Sequence, residues 1–370
     1  MSIRTVYGFC EGTRKSRVPA NLTGSDPLPP HVMRTTIRIG LSLVLATAVT
    51  LTSTSTGFGQ GLEDFAALQP RSLGPAGMSG RVAAVAGIPG DRNTFFVGAA
   101  TGGFWHTDDG GLSWTPLFDD QPVASIGSIA VRAGHPDEIW VGTGEGNPRN
   151  SSSVGNGVYR TRDGGATWEY LGLEGTEKIH RLILHPTDPM TAWAAALGTT
   201  WGEGSERGVY RTRDGGATWD QVLFVDEATG ACDLILDPTN PDKLIAATWT
   251  HRRWPYSFHS GGTGSGIWVT LDGGDTWERR GSDQGLPTGD MGRIGLALCA
   301  TAPNVVYALV EAEANVLLRS DDGGRTFATI NDEPDINPRP FYFCDLRVDP
   351  NDADRVYSLH TVITVSDDGG

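Results

Sequence analysis

YRTRDGGATW occupies residues 159–168 and returns letter for letter at 210–219. Relaxed to Ser/Thr-x-Asp-x-Gly-x-Ser/Thr-aromatic, the pattern also covers TDDGGLSW (107–114), TLDGGDTW (270–277) and SDDGGRTF (320–327), and SDDGG (366–370) begins a sixth copy. The repeated aspartates, Asp109, Asp163, Asp214, Asp272, Asp322 and Asp368, stand 54, 51, 58, 50 and 46 residues apart. A near-constant period of this size marks a repeat architecture.

The chemistry of the octapeptide is that of a turn. Asp-Gly between strand-like segments favours a hairpin, because glycine takes the positive φ that the turn requires. The Asp carboxylate and the Ser/Thr hydroxyl accept hydrogen bonds from backbone N–H groups that the turn leaves unpaired. The closing Trp or Phe is placed to pack between sheets. A calcium loop needs alternating oxygen ligands and a distant bidentate Glu. Both are missing, so no metal is expected. The six aspartates are read as structural.

Before each box comes a second recurrence. VAAVAGIPGDRNTFFVGAA (82–100), IAVRAGHPDEIWVGTG (129–144), LILHPTDPMTAWAAALG (182–198), LILDPTNPDKLIAATW (234–249), IGLALCATAPNVVYALV (294–310) and LRVDPNDADRVYSLH (346–360) share one plan. Each is an apolar strand, a Pro/Asp/Asn turn and a second strand rich in β-branched and aromatic residues. The box then links a third strand to a fourth. Four short antiparallel strands, repeated, predict an all-β propeller with at least six blades, the last cut short at the C-terminus. The 50 Gly and 22 Pro suit so turn-dense a chain.

The first 59 residues stand outside the repeat. Residues 33–59 run from basic Arg34 and Arg38 through an apolar stretch to small residues, the order of a secretory signal. Residues 1–32 are then read as a start assigned too early, and 60–370 as the propeller. The expected location is secreted, periplasmic or at the cell surface, with no membrane span in the mature part. The leader holds six of the 29 basic and two of the 44 acidic residues, so 23 basic face 42 acidic beyond it, a net −19. Such a surface repels phosphate backbones and argues against a nucleic-acid partner. Cys232, Cys299 and Cys344 have no metal spacing and are read as buried free thiols.

The boxes resemble the Asp-box, or bacterial neuraminidase repeat, shared by sialidases, xyloglucan-cleaving glycoside hydrolases, a photosystem assembly factor and the sortilin receptors. Over most of 75–370 the chain is similar to large secreted bacterial proteins with a sortilin-type N-terminal propeller, often labelled glycosyl hydrolase. That resemblance implies a propeller with a peptide, protein or glycan ligand and no cofactor. Sialidases carry Arg-Ile-Pro ahead of their boxes. Here GRV (80–82) and GRI (292–294) lack the proline, which disfavours that activity.

Strand parity locates the site. In an up-and-down blade, the turns joining strands one to two and three to four share one face, and those turns are short here. The longer segments, 144–157, 198–208 and 250–266, with the crossings near 226–231, 285–292 and 331–341, fall on the other face, where binding residues concentrate. Trp201, Trp254, Tyr256, Phe258, Phe341 and Tyr342 supply aromatic surfaces there. Arg149, Arg252, Arg253, Arg339, His251 and His259 supply donors, and Glu145, Glu203, Asp226 and Asp290 supply carboxylates. The reading selects Trp254 and Tyr256 as a stacking platform beside Trp201, with Arg252, Arg149 and Glu145 fixing polar groups of a ligand. THRRWPYSFHSGG (250–262) is read as a loop. The alternative function is a xyloglucanase-like hydrolase with catalytic acids drawn from Glu145, Glu203, Asp226 and Asp290, two carboxylates facing across a cleft.

Overall fold

Residues 81–370 are described by the structure, a computed structural model. The early start and secretory leader expected over 1–59 lie outside them, as do residues 60–80. From Val82 onward the chain forms six antiparallel sheets in succession, the blades of a β-propeller. Blade 1 is Val82–Ile88, Asp91–Ala99, Gly103–Thr107 and Thr115–Pro116. Blade 2 is Ile126–Arg132, His135–Thr143, Val158–Thr161 and Glu169–Tyr170. Blade 3 is Ile179–Leu184, Ala192–Ala196, Gly208–Thr212 and Asp220–Leu223. Blade 4 is Thr229–Asp237, Asn240–Trp254, Gly266–Thr270 and Glu278–Arg279. Blade 5 is Ile294–Cys299, Ala302–Val310, Val316–Ser320 and Ala328–Asn331, and blade 6 has Asp345–Asp349, Asp352–Leu359 and Ile363–Ser366. Every blade follows chain order across its sheet, and the first strands of successive blades lie beside one another.

The core sits between blades. Phe96 and Phe104 of blade 1 pack with Ile126, Ile139, Val141 and Tyr159 of blade 2. Trp193, Ala195 and Val209 of blade 3 meet Ala231, Leu234, Leu244 and Ala246 of blade 4. Strands covered on both faces carry apolar residues at consecutive positions rather than alternating ones, and Ala192–Ala196 is buried throughout.

The boxes knit this stack together. In the second, Asp163 Oδ1 accepts from Thr161 Oγ1 at 2.7 Å and from the Thr167 amide at 2.9 Å, while its Oδ2 accepts from Thr167 Oγ1 at 2.6 Å. Thr161 Oγ1 in turn accepts from the Gly165 amide at 2.8 Å. Gly164 and Gly165 hold φ of 71° and 98°, which a side chain would strain. Trp168 Nε1 donates back to Leu117 O of the blade 1–2 crossing at 2.6 Å, and Trp219 Nε1 to Leu171 O at 2.8 Å. Arg160 reaches forward to Gly215 O at 2.8 Å, and Arg211 to Gly273 O at 2.9 Å. The second and third boxes are therefore clips between neighbouring blades. Hydroxyl and amide donors favour the ionised carboxylate, so Asp163, chiefly through Thr161, and Asp214, chiefly through Thr218, are lowered to about 2.

One segment differs from its sequence reading. Residues 250–262 are not a loop: the second strand of blade 4 runs on to Trp254, turns at Pro255-Tyr256 and returns as Ser257–Ser260. His251 pairs with Ser260 and Trp254 with Ser257. Side chains alternate, with His251 and Arg253 buried and Arg252 and Trp254 half-buried. The polar inward positions hid a period of two that is usually read from apolar residues. Cys232, Cys299 and Cys344 are buried free thiols.

Candidate functional site

The box-bearing end of the propeller carries only tight turns, so the long segments gather at the opposite end. There the blade 4 hairpin touches segments from blades 2 and 3 and from the blade 5–6 crossing. Arg253 is the centre of these contacts. Its Nε donates to Pro148 O at 2.9 Å, Nη1 to Asn150 Oδ1 at 2.5 Å and Nη2 to the Tyr342 hydroxyl at 3.3 Å. Its guanidinium also lies 4.7 Å from the Phe258 ring centre. Phe258 continues to Phe341 at 5.3 Å, and Phe341 to Tyr342 at 4.6 Å. The Arg253 amide donates to Thr200 O at 2.8 Å, which ties in blade 3.

The outer side of the hairpin is the open one. Arg252 stacks 5.0 Å over Trp254 and contacts Glu203 Oε1 at 3.4 Å. Tyr256, at the turn, is 86% exposed, and Trp201, on the adjoining segment, is 41% exposed. Trp254, Arg252, Trp201 and Glu203 thus belong to one surface, with Tyr256 at its tip. Arg339 stacks over Tyr342 at 5.4 Å, and His259 is exposed.

Two expected members point elsewhere. Glu145 is fully buried and accepts from two nitrogens of the Arg81 guanidinium, Nε at 2.6 Å and Nη2, so it does not reach the hairpin surface. Arg149 is half-buried and braces its own turn, its amide donating to Asn147 O at 2.9 Å. Asn150 and the Pro148 carbonyl, rather than Arg149, meet the hairpin. Of the remaining acids, Asp226 accepts from the Ala228 amide at 2.8 Å, and Asp290 is exposed on the blade 4–5 crossing.

Beneath the hairpin lies a set of residues that the sequence did not single out. Lys178 is fully buried, with its ammonium on Thr200 Oγ1. Burial pulls its pKa down to about 8. Arg293, also buried, donates to Asn147 Oδ1 at 2.9 Å and to Tyr342 O at 3.2 Å, and meets His180 Nε2 at 3.2 Å. Burial, reinforced by Arg181 and Arg293, keeps His180 neutral. No apolar periodicity marks these positions, and a lone Lys ahead of a strand reads as a surface charge.

Deeper, between the first strands, is a cavity of about 420 Å³ lined by Val82, Ala84, Ser128, Arg181, Asp345 and Arg347 among others. Arg181 bridges Asp233 at 2.7 Å and Asp345. Burial opposes ionisation of Asp345, but the charges of Arg181 and Arg347 hold it well below the usual carboxylate range. None of the residues selected from sequence lines this cavity.

Fold and box geometry define a β-propeller of the Asp-box kind, resembling the sortilin type. Residues 156–285 match a family model described as Sortilin, neurotensin receptor 3. A probable oligoxyloglucan-reducing end-specific xyloglucanase of Neosartorya fischeri is 32% identical over 169 residues, 40% of this chain and 18% of that protein. A photosystem II assembly lipoprotein, Ycf48, of Picosynechococcus sp. is 29% identical over 157 residues, 35% of this chain and 45% of that one. Among solved structures, an ancestral GH74 enzyme superposes with a TM-score of 0.56 at 17% identity, covering 80% of this chain and 36% of its own. The likeness to that enzyme is one of fold. The chain spans about a fifth of the length of the xyloglucanases it matches.

Proposed function

We propose that this propeller is a secreted binding module whose loop-bearing end holds a peptide, protein or glycan ligand without cleaving it. The observation that carries this is the hairpin surface: Arg252 stacked on Trp254, with exposed Tyr256 and Trp201 close by in the fold. Flat aromatic faces beside a guanidinium suit sugar rings and peptide side chains alike. Of the four candidate acids, Glu145 is held by Arg81 and Asp226 by its own turn, which favours binding over hydrolysis. The segment read as a secretory leader supports a location outside the cytoplasm.

A second reading, a xyloglucan hydrolase, is favoured by the names of the relatives. Glu203 and Asp290 are the acids it retains. Incubating the full chain with xyloglucan and measuring new reducing ends separates the two. Binding of xyloglucan oligosaccharides or peptides that weakens in Trp254→Ala, with no new reducing ends, supports the module. Cleavage abolished by Glu203→Gln or Asp290→Asn would establish the enzyme instead.

A further inference from the structure

Buried cations at the loop-bearing end have no carboxylate in direct contact. Lys178, Arg207 and Arg293 are at most 1% exposed and Arg253 is 6% exposed. Among the described residues none of the four forms an ion pair, whereas most other buried arginines, such as Arg132, Arg160 and Arg211, do. In a chain of formal charge −15 this is unexpected. Carbonyls account for Arg207, which donates to Leu197 O at 3.0 Å and to Gly202 O at 2.7 Å. Lys178 has one hydroxyl partner, Thr200. Glu177 and Glu145 act on this ammonium only without contact, and burial outweighs them; a buried charge with no directly paired partner is costly in a protein interior. Two histidines beside the group add to the deficit: His251 Nε2 and His180 Nδ1 are buried without partners. The set is contiguous. The Lys178 ammonium meets the Thr200 hydroxyl and the Arg253 amide its carbonyl, Arg253 and Arg293 share Tyr342, and Arg293 lies over Trp249, which stacks on His251 at 4.5 Å.

The hairpin lies against this set and projects from its blade as a ribbon. Its two strands pair only with each other over residues 251–260, and a two-stranded ribbon has little stability of its own. It returns to the blade through Gly261 and Gly262, at φ of 102° and 157°. Two backbone bonds hold it to blade 3 and the blade 3–4 crossing, from the Arg253 amide to Thr200 O at 2.8 Å and from the His251 amide to Ala228 O at 3.3 Å. The other fastenings are side-chain contacts: Arg253 on Pro148, Asn150 and Tyr342, and Ser260 Oγ on Glu311 Oε2 at 2.6 Å.

We propose that the hairpin 251–260 is a lid, latched by Arg253, over a site in which Lys178 and Arg253 bind an oxyanion group, a carboxylate, sulfate or phosphate, of the ligand. This extends the binding reading above and rests on it for the face of the molecule concerned. When the lid lifts, Arg253 exchanges Asn150 and Tyr342 for the anion, and Lys178 gains a directly paired anion.

Lys178 and Lys243 are the only lysines in 81–370, so amine labelling reads the site directly. Lys243, paired with Asp237 at 3.1 Å, is the internal reference. The full chain is pulsed with acetic anhydride, digested and analysed by mass spectrometry. Sulfate, phosphate and acetate are titrated separately against chloride at matched ionic strength. Thiol labelling of buried Cys232 follows global opening in the same samples. Slow labelling of Lys178 is expected, accelerated several-fold in Asn150→Ala and Tyr342→Phe with Cys232 unchanged. At ten times the midpoint concentration, at least one anion should slow Lys178 labelling about tenfold and leave Lys243 as it was. Protection of Lys178, Lys243 and Cys232 alike overturns the site, as does the absence of protection by all three anions. Labelling of Lys178 that ignores both latch variants overturns the lid. A peptide or glycan that binds through Trp254 without any anion effect at Lys178 removes this inference and leaves the binding module standing.

Discussion

Trp168→Ala tests whether the boxes hold blades together. Its ring meets Phe104 edge-on at 5.6 Å and Phe118 at 4.9 Å, both buried in the blade 1–2 core. Its Nε1 donates to Leu117 O at 2.6 Å. Removing a buried Trp costs about 3–5 kcal/mol, and the half-buried position of Trp168 puts this variant near 3 kcal/mol. The hydrogen bond supplies about 1 kcal/mol of that, and each edge-to-face pair about 0.5–1.5 kcal/mol. Domains of this size lose about 2–4 °C of melting temperature per kcal/mol, so a fall of about 6–12 °C is expected by scanning calorimetry. Trp254→Ala is the matched control. Its guanidinium stacking lies at the surface, worth under about 1 kcal/mol, so its melting point should fall by about 2 °C or less. Equal shifts in the two variants, or a Trp168→Ala shift under about 2 °C, would show that the box Trp does not bind blade to blade.

Trp254→Ala should stay folded and weaken binding of a peptide or glycan ligand about 30-fold, a loss of about 2 kcal/mol; unchanged affinity by calorimetric titration would move the site off the hairpin. Asp214→Ala should lower the melting temperature at neutral pH. The folded-state pKa of Asp214 is depressed to about 2 by the Thr218 hydroxyl and other donors, so its contribution is present above the usual carboxylate value and lost as pH falls towards about 2. The melting difference between variant and parent should therefore shrink between pH 5 and pH 2; a constant gap contradicts that origin. Lys178→Met should melt above the parent at pH 7, because burial depresses this ammonium to about 8 and its protonated form opposes folding. The parent recovers as pH rises from about 8 towards 10.4, where only the unfolded chain still holds the proton. A gap that does not narrow over that range would refute the account.

Much of the fold was legible in the sequence because it is local and repeated. Asp163, Thr161, Thr167 and the glycine pair lie within seven positions, and hydrogen-bond one another with little help from elsewhere. Such a motif means the same thing in each copy, and its period gives the blades. The face carrying the long segments follows from strand parity alone. The site is another matter. Whether Glu145 faces a ligand or Arg81 depends on a partner 64 positions away. Arg253 meets Pro148 and Tyr342 across 105 and 89 positions, and Lys178 becomes a buried charge only when three segments close over it. Those are consequences of loop closure between blades, which no window of sequence contains. Sequence by itself determined the blades and the end of the molecule that carries the long segments. Tertiary structure decided that 250–260 is a hairpin, which side chains it turns outward, and which charges it covers, because burial and pairing are properties of several distant strands at once.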